Sequence, residues 1–282
     1  MKTISGSPIG RLFGLAVLAC CMFGSACLGQ AAPKKLLVVT VTKGFRHSSI
    51  PTAEKILAEL GQKSGVFTVD YVRTDEEMAQ KMTAAALKDY DGVIFANTTG
   101  DLPLPDKQAF LDWIKSGKTF IGMHSATDTF RGHKPLDAYV EMIGGEFVHH
   151  GAQAEVDCIN QDPKHPACRQ LGPTFHLTDE IYLLNGFERD KVHGLLALEK
   201  HPNDQTPGDY PIAWCKEYGK GRVFYTSLGH REDVWDPNTP AKFKRENPKE
   251  VSQAYQQHIL GGIKWALGLE QGDARPQTIE KK

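Results

Sequence analysis

The chain has 282 residues, 40% of them hydrophobic, with 33 basic residues set against 34 acidic ones. A near-neutral balance without a basic cluster excludes the electrostatic footprint of a nucleic-acid binder. A chain of this length can bury one sizeable core, and with no repeat and no low-complexity linker it reads as one domain, about residues 34–268, and a loose polar tail, residues 269–282.

Residues 1–30 read as an export signal. Lys2 and Arg11 make a positive start, residues 12–23 are mostly apolar but short for a membrane span, and small residues surround Cys20, Cys21 and Cys27. Cleavage near Gln30-Ala31-Ala32 removes two basic residues and no acidic one, taking the formal charge from −1 to −3. Val17-Leu18-Ala19-Cys20 and Gly24-Ser25-Ala26-Cys27 loosely match lipoprotein cleavage sites, so a lipid anchor stays open. The expected location is periplasmic or secreted, with no transmembrane segment once the signal is removed.

The run KLLVVTV at 35–41 is continuous, apolar and β-branched, the pattern of a buried parallel strand. It enters a loop, Gly44-Phe45-Arg46-His47-Ser48-Ser49, in which Ser48 or Ser49 can cap a helix over 50–60 that tolerates Pro51 in its first turn and stops at Gly61. A strand over 66–72, a helix opening at Thr74-Asp75-Glu76-Glu77, a strand over 92–97, a helix over 105–116 and a strand from Thr119 follow. Strand and helix alternating across short loops predict an α/β fold with a doubly wound, mostly parallel sheet. Beyond residue 145 the runs shorten to 154–159, 180–184, 194–198 and 212–218, broken by Pro, Gly and Asn, which predicts antiparallel additions in the C-terminal half. Lys220-Gly221 suits a hairpin turn into 222–227, and 251–267 a closing helix.

Three cysteines lie beyond the signal. Cys158 and Cys168, ten residues apart around Asp162-Pro163, are spaced for a disulfide across a turn in an oxidising compartment, with two unpaired thiols as the alternative. Cys215, in Pro211-Ile212-Ala213-Trp214-Cys215, reads as a small buried hydrophobe.

Loops after parallel strands collect on one edge of such a sheet, so His47, Asn97, His124 and His230 are expected to face one crevice. In Thr119-Phe120-Ile121-Gly122-Met123-His124, a strand climbs through glycine to His124 at the place where hydrolases on related scaffolds put Ser or Cys. Imidazole binds metals and moves protons near neutral pH. His124 and His230 are therefore the catalytic candidates, and Glu232, two residues beyond His230, is a candidate to orient it. Asn97, Asp128 and Trp235 are candidates for substrate binding, with helix capping (Asp128) and core packing (Trp235) as the plain alternatives. One of the adjacent pair His149-His150 can join the crevice, since neighbours on an extended segment point to opposite faces. His47, His124, His150 and His230 would then be able to hold a divalent metal such as zinc, although no compact ligand motif signals one. His165, His176, His201 and His258 have ordinary explanations in turns or on helices, and His193 carries no assignment.

Several motifs in order resemble the ThuA-like (trehalose utilisation) family: Gly44-Phe45-Arg46-His47-Ser48, Gly122-Met123-His124-Ser125-Ala126-Thr127-Asp128 and Gly144-Gly145-Glu146-Phe147. His165-Pro166-Ala167, Thr178-Asp179-Glu180-Ile181-Tyr182 and Leu228-Gly229-His230 continue the resemblance, which spans about residues 35–268. It implies a fold similar to class I glutamine amidotransferases (a flavodoxin-like arrangement), in which Gly-x-Cys-x-Gly carries the nucleophile and His-Pro-Glu its base. Here His124 stands in the cysteine place and His230-Arg231-Glu232 in that of His-Pro-Glu, so glutaminase activity is not expected. Where the family has glycine-histidine-proline, this chain has His149-His150-Gly151. The resemblance implies a small-molecule sugar substrate, a disaccharide or glycoside or its keto derivative. A non-catalytic carbohydrate-binding module and a metal-dependent hydrolase of another small substrate remain the rivals.

Overall fold

The computed structural model describes residues 32–277 and Gly6; the expected export signal, Gly6 apart, lies outside the described residues. The apolar β-branched runs form the centre of a mixed nine-stranded sheet. Strands β1 (Lys34–Val39), β2 (Phe67–Val72), β3 (Gly92–Ala96) and β4 (Thr119–Met123) pair in parallel in the order β2-β1-β3-β4. The hairpin partners β10 (Pro207–Tyr218) and β11 (Gly221–Thr226) continue the sheet, β11 lying parallel to β4. Beyond β10 the order runs through β9 (His193–Lys200), β6 (Ala154–Asn160) and β7 (Thr174–Asp179), all antiparallel. Two short strands, β5 (Glu146–His150) and β8 (Tyr182–Asn185), make a separate antiparallel pair.

Alternation of side chains along a strand explains why β1 is apolar at successive positions. Leu36 and Val38 pack with Ala53, Ile56 and Leu57 of α1 (Ile50–Ser64) and with Ile259 and Ile263 of α6 (Lys249–Ala266). Leu37 and Val39 belong to a second apolar layer, with Met78 of α2 (Asp75–Lys81), Phe110, Leu111 and Ile114 of α3 (Lys107–Lys115), and Tyr139 and Val140 of α4 (Ala138–Ile143). The remaining helix, α5 (Glu232–Trp235), is a single turn.

Four expectations are corrected. Gly61 does not stop α1, which runs on to Ser64 and closes on Gly65; a Cβ at Gly61 would stand 2.6 Å from the Phe67 carbonyl oxygen, so the glycine permits close packing of helix on strand. Neither serine caps α1 with its side chain, because both hydroxyls reach other loops. Cys158 and Cys168 are free, buried thiols. Cys158 faces the core from β6 opposite Phe175, while the Cys168 thiol donates to the Leu195 carbonyl at 3.6 Å, and both are packed as small apolar side chains in the same core layer. Finally, the segment after Leu269 is held as far as Gln277: Trp265 Nε1 donates to Gly272 O (3.1 Å), and Gln277 N donates to Val192 O (3.3 Å). Among the described residues no helix is long and apolar enough to cross a membrane.

Candidate metal centre

Four loops bring the chemistry together. His47 lies between β1 and α1, His124 directly after β4, His230 between β11 and α5, and Glu180 between β7 and β8. One donor atom from each of His47, His124, Glu180 and His230 lies within 4.8 Å of the others. His124 Nε2 is 3.2 Å from His47 Nε2, 3.3 Å from His230 Nδ1 and 3.7 Å from Glu180 Oε1. Glu180 Oε1 is itself 3.2 Å from His230 Nδ1.

Local backbone explains how a strand end can aim its ring this way. His124 opens a single 3-10 turn with φ of 46°, a left-handed conformation uncommon outside glycine, and thus turns off the line of β4. Its Nδ1 is 2.8 Å from the Ser227 carbonyl oxygen, which can only accept. The proton therefore sits on Nδ1, and Nε2 presents a bare lone pair to the other three groups. On the His230 side, Gly229 has φ of 114°, and a Cβ there would lie 2.8 Å from Tyr255 Oη. Its carbonyl accepts from Ser49 Oγ (3.2 Å), Asn97 Nδ2 (3.1 Å) and Trp235 Nε1 (2.8 Å), and its N–H donates to Asp179 Oδ2 (2.7 Å).

Burial sets the charges. His47 is pushed down to about 4 by desolvation and then by the His230 charge, and His124, fully buried, is held well below the usual imidazole range for the same reasons, with the His47 charge ahead of that of His230. For His230 burial pulls downward, but the hydrogen-bonded Glu180 carboxylate outweighs it and the ring is raised. Glu180 shows the converse: burial opposes its ionisation, and the bond to His230 and the surrounding imidazoles hold it below the ordinary range.

This donor set fits a divalent cation. A tetrahedral zinc with nitrogen ligands at about 2.0–2.1 Å has ligand–ligand edges of about 3.3 Å. Three of the six separations, 3.2, 3.3 and 3.2 Å, match that edge, a fourth is 3.7 Å, and the whole set lies within 4.8 Å, so small ring movements would close it on an ion. Imidazole with carboxylate suits a borderline metal better than the hard, all-oxygen cations.

The centre forms part of the floor of a pocket of about 360 Å³ whose lining includes Phe45, His47, Asp128, Arg131, Phe147, His150, Glu180, Tyr182 and His230. Of the sequence candidates, His47, His124 and His230 meet, and Asp128 lines the pocket in an ion pair with Arg131. His150 lies at its side, Nδ1 3.3 Å from Glu180 Oε2 and outside the four-donor set, while His149 is exposed. Three candidates stand elsewhere. Glu232 accepts from Ser48 Oγ at 2.6 Å, and the carboxylate beside His230 is Glu180 instead. Asn97 is fully buried, bracing Ser49 and Gly229. Trp235 is fully buried too, so it is a core plug and not a sugar platform. Glu180 and Tyr182, whose ring lies 4.5 Å from that of His124, were missed as site residues. Their signal was the Thr178-Asp179-Glu180-Ile181-Tyr182 motif, a carboxylate pair closing a strand.

The model of the ThuA family, described as trehalose utilisation, matches residues 35–266. Among solved structures, a ThuA-like protein from Parabacteroides merdae has a TM-score of 0.64 at 18% identity, covering 88% of this chain and 94% of that one. A ThuA-like protein from Bacteroides uniformis gives 0.62 at 21% identity, with 86% and 95% covered. At those identities the two structures speak for the fold. No curated protein matches the chain. With the family model spanning all but the ends of the described residues, the chain belongs to the ThuA family.

Proposed function

We propose that this chain is an exported enzyme of carbohydrate metabolism that acts on a disaccharide or glycoside, or its keto derivative, at a divalent metal held by His47, His124, His230 and Glu180. The observation that carries the reading is the convergence of four donor atoms from four loops at ligand-like spacing. The family's description, trehalose utilisation, supports the sugar. We take the parallel half of the sheet as the doubly wound, glutamine-amidotransferase-like part of the fold, with His124 where a thiol nucleophile would stand. Imidazole in that place argues against a glutaminase.

A divalent cation there supplies a Lewis acid able to polarise a carbonyl oxygen. The chain's own residues prepare the place. Ser227 O fixes the His124 tautomer, Gly229 and its three donors hold the His230 loop, and Tyr182 walls the pocket beside His124. The reaction class that suits a keto-glycoside is elimination: the carbonyl acidifies its neighbouring C–H, a base takes that proton, and the glycosidic oxygen leaves with its electron pair.

Metal analysis of protein purified without chelator, with turnover of a keto-disaccharide, tests this. The expected result is about one zinc-class ion per chain and activity lost in His124→Ala. A folded wild-type protein without metal and without turnover would overturn the reading.

A further inference from the structure

Phe45 is the most exposed large hydrophobic side chain among the described residues, at 67%. Slackness of its loop is not the reason. Lys43 N donates to Thr99 O (2.8 Å), Gly44 N to Thr99 Oγ1 (3.1 Å), Thr99 Oγ1 to Phe45 O (3.0 Å), and Arg46 Nη1 to Thr40 O (2.9 Å). A phenyl ring is thus held in solvent by a bonded scaffold, which costs hydrophobic free energy unless something covers it. The ring lines the pocket and meets His47 edge-on, with centroids 4.8 Å apart. Phe147 and Tyr182 add further aromatic lining, their centroids 4.1 Å apart.

The polar groups of the same pocket restrict what can cover it. Arg131 is paired with Asp128, and its guanidinium lies over Phe147 at 5.2 Å, so it is not a spare cation for an anionic ligand. The Asp128 carboxylate keeps acceptor capacity beyond that one contact. An aromatic face next to a carboxylate and a guanidinium recognises a molecule with an apolar C–H face and a rim of hydroxyls.

We propose that Phe45 is the stacking platform for the apolar face of a neutral sugar ring, whose hydroxyls reach Asp128 and Arg131 while the ring is presented to the histidine centre. Phe45 is then a specificity-determining residue, and uncharged sugars are preferred over uronic acids. The inference rests on the sugar reading above and is tested separately from it. Pre-organisation of the loop is what makes one ring effective, since little motion is lost on binding.

The experiment titrates the purified chain with trehalose, methyl β-glucoside and glucuronate, following binding by calorimetry and by saturation-transfer NMR. Phe45→Ala is expected to weaken trehalose binding about tenfold and Phe45→Trp to stay within about twofold of wild type, with unchanged melting temperature and metal content. Saturation should fall on the ring C–H protons, and glucuronate should bind more weakly than methyl β-glucoside. Wild-type affinity in Phe45→Ala, or tighter binding of glucuronate, overturns this inference and leaves the sugar reading standing. Failure of the unmodified chain to bind any of the three sugars overturns this inference, while the sugar reading itself is decided by the keto-disaccharide turnover described above.

Discussion

Glu180 and Glu232 separate what touches the centre from what supports it. Glu180 offers Oε1 to the donor set and Oε2 to His150, whereas Glu232 ties the His230 side to Ser48. Replacing Glu180 by Gln should lower zinc affinity by at least about tenfold, measured by competition with a chromophoric chelator. Glu232→Gln should hold zinc nearly as well and instead lose about 1 kcal/mol of stability, because a hydroxyl–carboxylate bond between two loops is weakened. Equal zinc loss in both would make Glu232 part of the donor set. His124 bears a different prediction. His124→Cys should produce no glutaminase, since oxyanion donors and a glutamine pocket are set by surrounding loops and not by the apex residue. Release of ammonia from glutamine by that variant, followed with a coupled dehydrogenase, would contradict this.

At the level of elements, the loops on the parallel edge work as one clamp around the Gly229 carbonyl. Asn97 shows how it is built: with φ of 56° it uses a backbone region that asparagine tolerates better than most residues, and from there its amide reaches both Ser49 and Gly229. Asn97→Ala loses a buried donor and keeps the strained backbone, so it should cost about 2–3 kcal/mol in urea unfolding. Asn97→Gly relieves the backbone and should recover about 1 kcal/mol of that. If the two variants unfold alike, the backbone carries no strain worth relieving. The antiparallel half gives a covalent check. Cys158 on β6 and Cys168 in the turn before β7 are free, buried thiols, so mass spectrometry of unreduced, unfolded protein should find both alkylated. A linked peptide would show that the turn between them can close.

Across the whole molecule, legibility followed burial. The inner parallel strands β1, β3 and β4 are covered on both faces, so their sequences are continuous apolar runs, and those were readable, whereas the edge strand β2 alternates. β6 and β7 are covered less completely and alternate with exposed residues such as Glu155 and His176, so their length and partners depended on contacts far along the chain. The three site histidines were readable because each follows a parallel strand, while Glu180, present in the Thr178-Asp179-Glu180-Ile181-Tyr182 motif, reaches them from the end of an antiparallel strand, whose place in the sheet depends on pairings far along the chain. Buried imidazoles away from the centre add their own response to acid to that of His47 and His124. His258, fully buried on α6 between Ala167 O (2.8 Å) and Thr226 Oγ1 (3.3 Å), is pushed down to about 4 by desolvation, against one raising bond from Ala167. His165 is likewise pushed down to about 4 by desolvation, with Asp162 and Asp273 pulling upward and His193 and His258 downward. An imidazole in the unfolded chain titrates near 6.5, so below that pH the unfolded state binds protons that the folded state refuses. Stability from these two residues is therefore complete above about pH 6.5 and falls as pH drops toward about 4, by about 2 kcal/mol for each at pH 5. His258→Gln, which keeps polar contacts but cannot titrate, should flatten the decline between pH 7 and 5 in urea unfolding. A variant whose stability falls as steeply as wild type would place the acid sensitivity in other groups.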